Sequence, residues 1–298
     1  MSSFIFNLFP MYFIKFNPIL LYHSLGKNSN FEKNIDHVDL EVLDSTLKTM
    51  KKYFKFVFID EYITAKDKSK LGVITIDDGY KNVIDEALQV FEYQNIPITI
   101  FINSSTFEGK IFWRDKIRYI IDNHLEKEFI SNSKLGNVKN FYRDTKSPNI
   151  NSAIVDKKLD LFFEQNNIKI EQSLCFNSKK YLIKHPLIMY GNHTYSHYVL
   201  SSLTKDEQYI EISKTKLFLQ KQDINLSNVF SIPFGGIDTY NQDTVDIVKD
   251  LGYKSMLLSR SRLNNPTKDT FFIERIMLKD NDLSFIKKAY FLSLIKDD

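Results

Sequence analysis

Asp77 and Asp78 stand side by side at the end of a short apolar run in "VITIDDGYKNV", residues 73–83. Adjacent carboxylates repel, so a buried strand that ends on such a pair has a cation or a proton for them to handle. Two of the six histidines, His193 and His197, lie four apart in "GNHTYSH". At that spacing in a helix or tight turn both imidazoles project to one side and can reach a single ion. An oxygen from Asp78 would complete an Asp-His-His set with positions left open for water and substrate, the pattern of a catalytic rather than a structural metal. Taken alone, His-x-x-x-His reads more simply as a pair of surface histidines. The single cysteine, Cys175, excludes an intrachain disulfide and a cysteine-built metal site, so any ion must be held by His, Asp or Glu.

These residues need elements to position them. Val73–Ile76 reads as a strand, Lys81–Gln94 carries Val83, Ile84, Ala87, Leu88 and Phe91 at helical spacing, and "IPITIFI" from Ile96 reads as a second strand. Parallel strands joined by a helix imply a right-handed crossover, which puts Asp77 and Asp78 at the carboxyl end of the sheet. After "LIMYGNHTYSH", Thr204 with Glu207 three residues on is a capping box that opens a helix through about Gln220. "NVFSIPFGG" is the next strand and loop, a helix over Asn241–Leu251 stops at Gly252, and "YKSMLLS" follows as a further strand. Continued alternation predicts an α/β barrel.

At 298 residues the chain is expected to form one domain, 1–298, with a core over about 15–103 and 186–280. Residues 104–185 are rich in Asn, Lys and Ser and hold helical patterns near Trp113–His124 and Ser152–Gln165; they read as an inserted helical subdomain covering one end of the barrel. With 43% hydrophobic and 26% charged residues, and 40 basic against 37 acidic side chains, nothing calls for nucleic acid. The amino terminus, "MSSFIFNLFPMYFIKFNPILLYHSLG", is apolar but interrupted by Asn7, Pro10, Lys15 and Pro18. It makes a poor secretory signal and a poor membrane span, so it reads as a hydrophobic arm leading into a strand "ILLYH". A cytoplasmic location is the expectation, with weak attachment to a membrane surface the less favoured alternative.

"TIDDG", "HTYSH" and "SIPFGG", in this order and each after a strand, resemble the polysaccharide deacetylases of the NodB-like carbohydrate esterase family 4. The resemblance implies a distorted (β/α) barrel, a divalent metal with zinc the expected ion, and hydrolysis of the N-acetyl group of an amino sugar in a polysaccharide or surface-glycan precursor. Asp77 then matches the catalytic base, and Asp78, His193 and His197 the metal ligands. Pro233 has no N–H, but the Phe234 backbone N–H matches the position that the family points at the oxyanion. An amide also needs a proton for its departing amine.

Two departures from the family pattern stand out. No histidine follows His197, and "LLYHSLG" offers His23 instead, resembling the amino-terminal Tyr-His segment of the exopolysaccharide deacetylase branch; His23 is the expected general acid. The family's usual arginine before the proline motif is replaced by Ser231 and Ile232, and Arg275 in "FFIERIML" is the candidate to hold Asp77 with two parallel hydrogen bonds, unless it pairs with Glu274 on the surface. Trp113 reads as helix packing, with a sugar-stacking role the alternative. His37, His124 and His185 read as structural. The competing functions are an O-acetyl esterase on carbohydrate, less dependent on His23, and a catalytically silent glycan-binding protein. The substrate partner expected is an N-acetylated glycan; oligomeric state is not legible.

Overall fold

The computed structural model describes residues 17–27, 36–135, 138–170, 174–264 and 271–278; the hydrophobic arm up to residue 16 lies outside them. Runs without polar alternation become buried strands, as a sheet covered on both faces requires. In chain order they are β1 (Ile19–Tyr22), β2 (Ser24–Gly26), β3 (His37–Asp39), β4 (Lys55–Phe56), β5 (Leu71–Ile76), β6 (Ile98–Ile102), β7 (Ile188–Asn192), β8 (Leu226–Ser231), β9 (Ser255–Leu257), β10 (Phe272–Ile273) and β11 (Ile276–Met277).

The main sheet runs β10-β9-β8-β7-β6-β5-β1-β11 with every neighbouring pair parallel; β4 adds to β5, and β2 pairs with β3 separately. Its two edge strands, β10 and β11, are consecutive in the chain and separated only by Glu274 and Arg275. Laid flat, the strands of this path would hold the two edges about 33 Å apart at roughly 4.8 Å per pair. Three Cα steps from Ile273 to Ile276 reach at most about 11 Å. The sheet must therefore curl until its edges approach, which is the distorted (β/α) barrel expected from the sequence, with a dipeptide across its seam.

Helices follow the strands much as the patterns predict. Lys205–Gln220 begins at the Thr204–Glu207 capping box, and Gln242–Asp250 ends just before Gly252, whose φ of 84° needs no side chain. The helix expected over Lys81–Gln94 differs at its start, where Val83–Ala87 forms a π-helical turn before the α-helix Leu88–Gln94. There Asn82 donates to Ser24 Oγ at 2.7 Å and Glu86 Oε2 accepts from the Lys27 N–H at 2.7 Å, so the widened turn reaches sideways to β2. The strand expected over "YKSMLLS" is confined to Ser255–Leu257, because the Ser259 N–H turns away to Gly235 O.

Between β6 and β7, no described residue joins the main sheet. Helices Trp113–Asp122, Glu126–Ser133 and Ser152–Gln165 fill this stretch, and Trp113, Ile117, Leu159 and Phe162 are buried in one apolar cluster with the barrel residues Ile74, Ile100 and Ile276. Among the described residues no helix is long and apolar enough to cross a membrane.

Gly191 of β7 sits in register with Phe101 of β6, and a Cβ at Gly191 would come 2.3 Å from the Phe101 ring. Gly191→Ala is therefore expected to destabilise the fold by about 1–3 kcal/mol through overpacking. Urea unfolding measures this, and an unchanged midpoint would show that the ring can move aside.

Candidate active site

The carboxyl ends of the strands converge on a cavity of about 170 Å³. His23 follows β1, Asp77 and Asp78 follow β5, His193 and His197 follow β7, Phe234 follows β8, and Ser259 follows β9; all of these line the cavity. Asp78 Oδ1 lies 3.4 Å from His193 Nε2 and 3.2 Å from His197 Nε2, all three side chains being buried. One possible ligand atom from each falls within 4.8 Å of the others, and Asp78 Oδ1 has no hydrogen-bond partner. A buried, unpartnered carboxylate oxygen between two imidazoles fits a divalent cation, which Asp78, His193 and His197 would hold. His193 Nδ1 is 2.8 Å from Ser231 O, a contact that leaves Nε2 free to ligate. Burial pushes the His197 imidazole down to about 3, so it is the neutral form that a metal takes.

The positions of these candidate ligands depend on an unusual backbone. Asp78, Thr194, His197 and Phe234 all have φ between 62° and 69°, a left-handed region that costs a side-chain-bearing residue, above all β-branched Thr194. Local bonds hold it. Asn192 Oδ1 accepts from the Thr194 N–H at 2.8 Å, Thr194 Oγ1 from the His197 N–H at 2.9 Å, and Glu211 Oε2 from the Ser196 N–H at 2.7 Å. Trp113 Nε1 donates to His197 O at 2.9 Å. Trp113 is 1% exposed, so it packs under this loop and offers no face for a sugar.

Asp77 faces other partners. Arg275, fully buried, grips it with Nη1 on Oδ1 at 2.8 Å and Nη2 on Oδ2 at 2.7 Å, and Ser231 Oγ donates from 3.1 Å. Arg275 is thus brought to Asp77, while Glu274 pairs with Arg260. Burial is the largest influence on Asp77 and pushes its carboxyl up, but Arg275 and His193 together outweigh it and hold the group below the usual range. Oδ2 is 3.7 Å from His193 Nε2, which places this ionised carboxylate beside the ligand set.

His23 is half-buried at the cavity with Nδ1 buried and unpartnered. The Phe234 ring lies 4.6 Å from that of His197, and no described group accepts from the Phe234 N–H. Next to it, Gly235 has φ 64° and its O accepts from the Ser259 N–H at 3.0 Å; a Cβ there would come 2.5 Å from that nitrogen. Ser231 was legible only as the residue standing where the family has arginine, yet it touches both Asp77 and His193. Arg114 and Lys146, which also line the cavity, come from a stretch with no motif to single them out.

Fold and site together define a parallel-stranded (β/α) barrel with a buried Asp-His-His cluster at its strand ends. The polysaccharide deacetylase family model matches residues 180–256, the segment that contains His193, His197, Ser231 and Phe234. The fold is similar to that of the Streptococcus pyogenes deacetylase PplD in complex with acetate, with a TM-score of 0.57 and 16% identity over 92% of this chain and 98% of that one. It is similar too to a de-N-acetylase from Aggregatibacter actinomycetemcomitans (TM-score 0.53, 14% identity, 92% and 99% covered) and to IcaB from Ammonifex degensii (0.53, 13%, 92% and 97%). No curated protein sequence matches the chain. Family segment and fold mark it as polysaccharide-deacetylase-like.

Glu211, which holds the Ser196 N–H, is pushed up to about 7 chiefly by burial. Its folded value lies above its ordinary 4.5, so its contribution is fully present below pH 4.5 and is lost as pH rises to about 7. The wild type is expected to lose about 3 kcal/mol of stability from this group between pH 4.5 and 8, and Glu211→Gln to lose little. Denaturant titrations of both proteins across that range would show parallel curves if Glu211 were ordinary.

Proposed function

We propose that the chain is a divalent-metal-dependent N-deacetylase, with zinc as its ion, acting on an N-acetylated amino sugar of a polysaccharide or its precursor. The observation that carries this reading is the buried Arg275 fork on Asp77, which holds an ionised carboxylate 3.7 Å from His193 Nε2 in the ligand cluster. When bound, the ion supplies Lewis acidity to water and to the acetamide carbonyl. Asp77 takes the proton of the attacking water, at Oδ2 where it faces the ligand set. Arg275 and Ser231 keep the carboxylate oriented throughout. The Phe234 N–H, free of any described acceptor, donates to the oxyanion that develops on the carbonyl. His23 gives its proton to the departing amine. The presence of a histidine at this edge of the cavity supports amide over ester cleavage, because an amine leaves only when protonated.

Acetate release from N-acetylglucosamine oligomers is expected to stop on chelation, to return with zinc, and to fall by about 10² or more in Asp77→Asn. Tight zinc binding with no release from any acetylated sugar would abandon hydrolysis in favour of glycan binding. His23→Ala is expected to reduce amide hydrolysis more than hydrolysis of an O-acetyl sugar; equal losses would remove His23 as the acid.

A further inference from the structure

Arg114 and Lys146 line the cavity of the Asp-His-His cluster, and the chemistry just described uses neither. Arg114 is 2% exposed, in the first turn of the helix Trp113–Asp122. Its guanidinium reaches two neutral acceptors, Thr145 Oγ1 and Tyr142 O, each at 3.3 Å, and no described carboxylate pairs with it. The guanidinium carbon is 4.7 Å from the Trp113 ring centre, 4.7 Å from that of Tyr142 and 5.8 Å from that of Phe234. Lys146 Nζ is 4.6 Å from the same Tyr142 ring and 5.9 Å from the same Phe234 ring. Two cations thus share two aromatic walls.

The other charges around this cavity have their partners. Asp115 takes Arg118 at 2.7 Å, Arg275 takes Asp77, and Asp78 faces the two histidines. Asp36 also lines the cavity and acts on Lys146, which it offsets in part. Among the described residues, Arg114 is left without a counter-charge. A buried cation in that state is costly, and a second cation over the same ring adds repulsion. Consistently, burial pushes Arg114 down to about 10, and burial with the charge of Arg114 lowers Lys146.

We propose that Arg114 and Lys146 form an anion subsite of the catalytic cavity that takes a phosphate group carried by the substrate, making a phosphorylated N-acetyl sugar the preferred substrate. This rests on the deacetylase reading above. A carboxylate brings one charge and two oxygens to two cations, whereas a phosphate brings up to two charges and three oxygens, enough to offset the fork and the ammonium together. The aromatic walls suit both cations and give the anion a dry wall on which these contacts are strengthened.

The test measures kcat/KM for acetate release by the zinc-loaded full chain on the 1-phosphate and the 6-phosphate of N-acetylglucosamine, on N-acetylmuramic acid, and on the neutral methyl glycoside of N-acetylglucosamine. One phosphorylated sugar is expected to exceed the neutral one by about tenfold or more. Arg114→Gln and Lys146→Gln should each shrink that ratio at least about fivefold, mainly through KM. Lys146 is partly exposed, so its variant retains the test if Arg114→Gln fails to fold. No preference, a preference for the carboxylate sugar, or variants that slow every substrate alike overturns the subsite; the last outcome would assign Arg114 to the oxyanion of the reaction itself. Should no substrate release acetate, the deacetylase reading fails separately, and inorganic phosphate still measures the subsite by raising the Tm of zinc-loaded protein. That rise should be lost in both variants; its persistence would put the phosphate on the ion and overturn the proposal.

Discussion

The pairing of Arg275 with Asp77 ties the barrel together and sets the charge of the site in one contact. Arginine offers five N–H groups in a fixed fork, and here each one has an acceptor. Nε donates to Leu258 O, Nη1 to Asp77 Oδ1 and, at 3.5 Å, to Thr75 Oγ1, and Nη2 to Asp77 Oδ2 and Ser259 Oγ. Those acceptors belong to β5, to the residue just after it and to the loop after β9, while Arg275 itself spans the seam between β10 and β11. A buried ion pair often breaks even against an apolar replacement, because two charges must leave water, but losing one partner strands the other at a cost of about 3–5 kcal/mol. The constraint is therefore strict on both residues. It also holds the Asp77 carboxyl below its usual range in a place where burial pushes it up.

With Asp77 held in this way, two neighbouring carboxylates can be kept apart. Asp77 directly follows its strand with its N–H on Tyr22 O, whereas Asp78 turns into the left-handed region and points to the histidines. One residue of backbone reversal separates a carboxylate satisfied by a guanidinium from one with an unpartnered oxygen. That reversal is strained, as are the turns at Thr194, His197 and Phe234, and such strain persists only where surrounding bonds over-determine it. Glu211, Trp113 and Ser259 supply such bonds from other elements, and Asn192 supplies one from the end of β7 itself. The glycines at 79 and 235 let the chain continue from Asp78 and Phe234 without a second penalty.

The parts of this arrangement legible in the sequence are those whose physics is local. Buried parallel strands write themselves as apolar runs, the capping box at Thr204 needs four residues, and the carboxylate pair and the His-x-x-x-His spacing lie in single loops. Arg275 was open to inference because the family pattern sets an arginine against the carboxylate that Asp77 matches, and Ser231 and Ile232 stand at its usual place. Ser231 was not, since a serine at a strand end is common and its partner Asp77 is 154 residues away. The π-helical turn at Val83 depends on Ser24 and Lys27, again distant in the chain. Trp113 illustrates the opposite error to avoid: a lone tryptophan suggests a sugar platform, but its indole N–H is committed to His197 O.

The cavity is polarised by the way the chain is assembled. Asp77 and Asp78 come from the end of a barrel strand, and the cations Arg114 and Lys146 come from the helical stretch between β6 and β7. Phe234 stands at the boundary, with its ring 4.6 Å from that of His197 and within 6 Å of both cations. A ring with a negative face and a positive edge can serve a cation and an imidazole at once, and it excludes water from between them. The Phe234 ring thus touches His197 on one side and both cations on the other. An apolar ring shared in this way lowers the dielectric around the imidazole and the cations alike, so the charge on each side of the cavity acts more strongly than it would in water.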